Sequence, residues 1–167
     1  MFEIFRENSA QAESVFRLMI DSIIGLAILV IIISAISYFD GLALQQSLSD
    51  FRSLVISSTQ SPDGRVFNSP KELTFPEGQA FSALDLESWA NVGAKCFEFD
   101  SGPKLSVRVS NDRGQAEFLT RLNLFVYSKC VTNLCDPTDQ SNPDNCCMCC
   151  KVVFGKKIDL LEQPNCR

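Results

Sequence analysis

The chain contains no histidine. That absence removes Ser-His-Asp and Cys-His catalysis, Cys₂His₂ zinc sites and c-type haem attachment, each of which needs an imidazole. Cysteine is missing from everything before Cys96, so all eight cysteines belong to one part of the chain. There is no Asn-x-Ser/Thr triplet, and N-linked glycan is not indicated. Lys and Arg are never clustered among aromatics, and the net charge is −5. Nucleic acid is therefore not an expected partner, and the acidic balance suits a soluble head. Gly155-Lys156 lacks both the upstream glycine and the following Ser/Thr of a phosphate loop. No enzyme reading remains.

What the chain has in abundance is one apolar run. Ser22–Phe39 (SIIGLAILVIIISAISYF) carries neither charge nor proline and is bracketed by Asp21 and Asp40. About 18 residues at a helical rise of about 1.5 Å span about 27 Å, enough to cross the hydrocarbon of a bilayer. The core helix of a soluble domain is rarely apolar on every side. Ser34 and Ser37 are the polar interruptions, and their hydroxyls can bond back to carbonyls of the preceding turn. The segment therefore requires lipid or copies of itself. Gly25, Ala27, Ser34 and Ser37 are small enough to let like helices approach closely. The preceding residues, Met1–Asp21, mix both charges where a cleaved signal would have a basic region, so retention as an anchor is expected. Arg17 and Asp21 stand four apart at the edge of the apolar zone. They mark the headgroup interface, or one of the acids here neutralises a positive group of a neighbouring subunit inside an oligomer, because an unpaired buried charge is too costly.

Beyond Asp40-Gly41 the pattern changes. Leu44, Leu48, Phe51 and Val55 recur at helical spacing between polar residues, giving an amphipathic continuation with one greasy stripe. Gly41 is a soft point at the junction, costing about 1 kcal/mol relative to Ala. Ser61-Pro62-Asp63-Gly64 ends the helix. The expected organisation is one long helix over residues 1–59, with a segment at 15–39 suited to a membrane or to like helices and an amphipathic half at 40–58. A cysteine-rich, β-rich head follows over 60–167.

In the head, Asp63–Phe75 reads as short extended pieces, and Ser82–Val92 as a short helix with Trp89 as a core anchor. Phe97 and Phe99 alternate with Cys96, Glu98 and Asp100. A hairpin is predicted from Lys104–Ser110, a turn at Asn111–Gly114, and a return over Phe118–Tyr127. Val152–Phe154 forms a last strand that turns at Gly155. The fold class is α+β: a long N-terminal helix packed on a small antiparallel sheet of about four strands, stapled by disulfides.

The disulfide candidates are Cys96, Cys130, Cys135, Cys146, Cys147, Cys149, Cys150 and Cys166. Neighbouring cysteines in Cys146–Cys150 do not easily bond each other. Four lie in that cluster and four outside, so each cluster member can pair outward, with the connectivity left open. Each bridge adds about 2–4 kcal/mol. Two weaker patterns compete. Cys130-x₄-Cys135 with Cys146-x₂-Cys149 resembles the halves of a Cys₄ zinc site, and the overlapping CxxC pairs could exchange disulfides, although no thioredoxin-like βαβ unit surrounds them. In the polar loop 136–145, Asp136, Asp139, Asn142 and Asp144 could supply oxygens to calcium, but Thr138 and Gln140 break the EF-hand pattern. The preferred reading has disulfides and no cofactor or metal.

Gln11-Ala12-Glu13-Ser14-Val15-Phe16, leading into the apolar run, together with the stripe from Leu44 to Val55, resembles a type IV pilin-like subunit. It is most similar to the archaeal pilins and their relatives. The resemblance covers the first third of the chain. It implies an apolar half-helix held in the membrane before assembly and in a filament core afterwards, with the second half cradling a head at the cell surface. The implied partner is the chain itself, as a helical homopolymer, and the displayed heads would serve adhesion. The alternative expectation is a single-pass anchor whose disulfide-rich ectodomain binds a partner without polymerising.

Overall fold

A computed structural model describes residues 4–93, 96–103, 105–132, 148–157 and 164, with side chains described from Val15 onward. The fold is α+β. The first helix, α1, runs Ile4–Gln60 without a break, so Gly41 does not interrupt it. The chain divides into two compact units, Met1–Leu42 and Ala43–Arg167. The second half of α1 thus belongs with the head.

Among the described residues nine strands follow α1: β1 (Asp63–Asn68), β2 (Leu73–Phe75), β3 (Ala80–Ser82), β4 (Phe97–Ser101), β5 (Val107–Val109), β6 (Gln115–Phe118), β7 (Leu122–Leu124), β8 (Val126–Thr132) and β9 (Met148–Phe154). A short helix, α2 (Ala83–Ala90), sits between β3 and β4. The strands make three sheets, in the orders β1-β8-β9-β4, β2-β7 and β3-β6-β5. The expected single antiparallel sheet is therefore divided, and one pairing differs in kind. The β4 strand lies parallel to β9, with Phe97 opposite Cys150 and Phe99 opposite Val152.

The predicted hairpin closes earlier than its sequence pattern implied. Val107 pairs with Phe118 and Val109 with Ala116. Leu122–Leu124 leaves this ladder and pairs with β2 instead, Leu124 opposite Leu73. The helix at α2 starts where capping chemistry dictates. Ser82 Oγ accepts from the Asp85 N–H (3.3 Å), and the Asp85 carboxylate accepts from the Ser82 N–H (2.7 Å), closing a capping box. Asn91, in the left-handed region at φ 56°, ends the helix. After β9, Gly155 turns the chain at φ +66°, where an added Cβ would run into the Leu105 side chain. Only glycine fits that turn.

The core is built where the second half of α1 meets one face of the four-stranded sheet. Strand alternation puts Val126, Ser128 and Cys130 of β8 on that face, with Cys150, Val152 and Phe154 of β9 and Phe97 and Phe99 of β4. From the helix come Phe51, Leu54 and Val55. Phe51 is the hub. It is fully buried, and its ring centroid lies 4.8 Å from Phe81, 5.6 Å from Trp89, 5.9 Å from Phe154 and 6.0 Å from Phe75. Three of these four contacts are edge-on, the arrangement that ring quadrupoles favour. Trp89 is a core anchor of this cluster.

The buried stripe is not quite the one the apolar spacing predicts. Leu48 is exposed, and Ser47 and Ser58 are buried in its stead. Hydrogen bonding explains the exchange. Ser47 Oγ donates to the Ala43 carbonyl (2.8 Å) and accepts from the Thr74 N–H (3.0 Å), tying α1 to β2. Ser58 Oγ donates to the Val55 carbonyl (2.8 Å) and lies 2.7 Å from Ser128 Oγ on β8. Each hydroxyl thus satisfies a polar group that would be costly to bury alone.

Candidate functional site

The residues that set this chain apart are those of α1 from Val15 to Leu42. Between Val15 and Leu42 the helix is mostly Ile, Leu, Val, Ala, Met and Phe, with Arg17, Asp21 and Asp40 its charged residues and no proline, so helix is the conformation that satisfies its own backbone in an apolar setting. Every large apolar side chain in this stretch is exposed, from 40% for Ile20 to 70% for Leu18. The exposure includes consecutive residues Ile28 to Ile33 and so encircles the helix.

The magnitude decides what this surface can be. Side chains half exposed over such a length leave on the order of 1,500 Å² of apolar area, several times what a soluble monomer shows in one patch. At about 25 cal/mol per Å², covering it is worth roughly 40 kcal/mol. The helix is long and apolar enough to cross a membrane, and it is a candidate membrane anchor or signal sequence.

The three serine hydroxyls of the stretch bond back to the helix's own carbonyls. Ser34 Oγ donates to the Val30 carbonyl (2.8 Å), Ser37 Oγ to the Ile33 carbonyl (3.1 Å) and Ser22 Oγ to the Leu18 carbonyl (2.8 Å). These hydroxyls therefore present little polarity outward. A Cβ added at Gly25 would meet nothing within 4 Å, and Ala27 is exposed. The surface is locally low at these small residues. Arg17 and Asp21 are exposed on the same helix. Among the described residues, no ion pair joins them to each other or to any other group.

In the head, Cys130 and Cys150 face each other directly across the antiparallel β8–β9 pair and form a disulfide, with Cα atoms 4.1 Å apart. Both are fully buried, and Cys130 Sγ lies 3.5 Å from Ser58 Oγ of α1. Cys96 and Cys149 are disulfide-bonded as well. These sulfurs are committed, which removes Cys130 and Cys149 from the zinc pattern that needed them as thiolates. Cys135, Cys146, Cys147 and Cys166 lie outside the described residues. So do Asp136, Asp139, Asn142 and Asp144 of the calcium candidate.

Sequence reasoning missed a charged rung on the second face of the sheet. Glu98, Lys151 and Lys129 stand opposite one another across β4, β9 and β8, and all three are buried. Lys151 Nζ lies 3.3 Å from Asp100, and Arg113 lies 3.4 Å from Glu98. Alternation in the sequence puts these residues on one face. Their burial depends on strand pairing that the sequence alone did not disclose.

No protein-family model, no curated protein and no solved structure matches the chain.

Proposed function

We propose that the protein is the structural subunit of a type IV pilus-like filament at the cell surface. The apolar half of α1 forms the core, and the disulfide-bonded heads form the outside, where they serve adhesion or surface contact. One observation carries the reading: an apolar helix surface exposed on all sides from Val15 to Leu42. Before assembly that surface lies in a membrane, with the head on the extracellular side. In the filament it lies against other copies, where the low points at Gly25, Ala27, Ser34 and Ser37 allow close packing. Disulfides accord with an oxidising compartment for the head.

A membrane-anchored ectodomain that binds a partner as a single copy is the competing reading, supported by the same length and composition. Negative-stain microscopy of material released from cells separates the two. Long fibres labelled by an antibody to the head support the filament. Recovery of the chain only as a detergent-dependent monomer refutes it.

A further inference from the structure

We infer that Arg17 of one copy pairs with Asp21 of the next, and that this ion pair fixes the stagger between neighbouring helices. The inference rests on the filament reading and names the contact that would make the assembly open-ended. Its basis is the position of two opposite charges on a helix whose surroundings are otherwise apolar. Arg17 lies between Phe16 and Leu18, and Asp21 follows Met19-Ile20. All four of these apolar neighbours are exposed. A neighbouring helix that covers them in a filament also draws the two charges out of water, and an ion withdrawn from water without a partner is heavily penalised. Neither charge has an ion-pair partner among the described residues. A second copy supplies both missing partners at once, with a guanidinium able to hold a carboxylate in two hydrogen bonds.

The geometry follows from helix dimensions. Copies inserted in one membrane share one orientation, so their helices meet in parallel. Bringing Arg17 level with the neighbour's Asp21 displaces one helix by four residues, about 6 Å along the axis. Such a contact is heterologous. It leaves Asp21 free on the first copy and Arg17 free on the second, and each recruits a further copy. A closed, symmetric pair would leave neither.

The test is complementation in trans. Full-length chains carrying Arg17→Asp alone or Asp21→Arg alone are expressed in cells, separately and together, with membrane-fraction abundance as the control for insertion. Each single variant is expected to lose at least about tenfold in fibre mass. Co-expression is expected to restore it to within about twofold of the parent, in fibres containing both chains, because each variant supplies the charge the other lacks. An ion pair within one chain cannot be rescued in this way. Single variants that assemble like the parent would overturn the inference and assign both charges to lipid headgroups. Single variants that fail, alone and together, would also overturn it. Either result leaves the filament reading standing so long as the parent forms fibres. A parent that forms none removes both.

Discussion

Replacing Phe51 by alanine should unfold the head at far lower denaturant than the parent needs. Phe51 is fully buried on α1 and touches four other aromatic rings contributed by β2, β3, α2 and β9. The truncation removes the largest side chain that the helix sends into the core and leaves a cavity bounded by rigid rings, which cannot collapse to fill it. Phe→Ala changes at such sites cost about 3–5 kcal/mol. Lost edge-to-face contacts, each about 0.5–1.5 kcal/mol beyond area, place this site toward the upper end. The single tryptophan of the chain, Trp89, lies 5.6 Å from the Phe51 ring, so its fluorescence reports the loss directly. With a urea slope of about 2 kcal/mol per molar, the midpoint of the full-length chain in mild detergent should fall by about 2 M. Ile36→Ala, at a side chain 59% exposed, should leave the same transition within about 0.5 kcal/mol of the parent. A Phe51→Ala midpoint shift equivalent to less than about 1 kcal/mol would refute the claim that α1 completes the core of the head.

Three further outcomes are expected. Replacing Cys130 and Cys150 together by serine should cost about 3 kcal/mol in the same urea titration, since the bridge closes a 20-residue separation; an unchanged midpoint would contradict it. Lys151→Met should destabilise by about 1–2 kcal/mol, because it strips the buried ammonium from the half-buried Asp100 carboxylate; the same titration detects it. The Asp112 carboxyl is held below its ordinary value of 3.8 by the Ser110 hydroxyl and then by the Gly114 N–H. Its folded form therefore favours the carboxylate, and the turn's stabilisation is complete above about pH 4 and lost as pH falls through the lower folded value. The Gly114 amide resonance should move with pH only below that point, and Asp112→Asn should abolish the movement.

Legibility differed sharply between the two halves of the chain. The apolar segment was readable because its signal is local: a run of unbroken hydrophobicity whose length alone determines what it can span. Phe51 and Val55 were readable from helical spacing, and both are fully buried. Leu48 was misassigned because periodicity weighs only apolarity. The buried positions went to Ser47 and Ser58, whose hydroxyls bond to β2 and β8. The turn at Asn111–Gly114 was legible from its residues, and Asp112 anchors it. The extent of the hairpin was not, because Leu122 and Leu124 alternate equally well whether they pair with β5 or with β2. Parallel pairing of β4 with β9 joins distant segments and leaves no local mark. The burial of Glu98, Lys129 and Lys151 follows from that pairing and was hidden with it.

The central claim is that the apolar surface from Val15 to Leu42 is covered by other copies of the same chain. A photoreactive residue placed at Ile28, at the middle of the exposed stretch, tests this in intact cell-surface material. Irradiation should yield a ladder of chain-to-chain adducts that persists when the fibres are washed free of lipid. Adducts to lipid alone, with the chain remaining monomeric, would contradict the account.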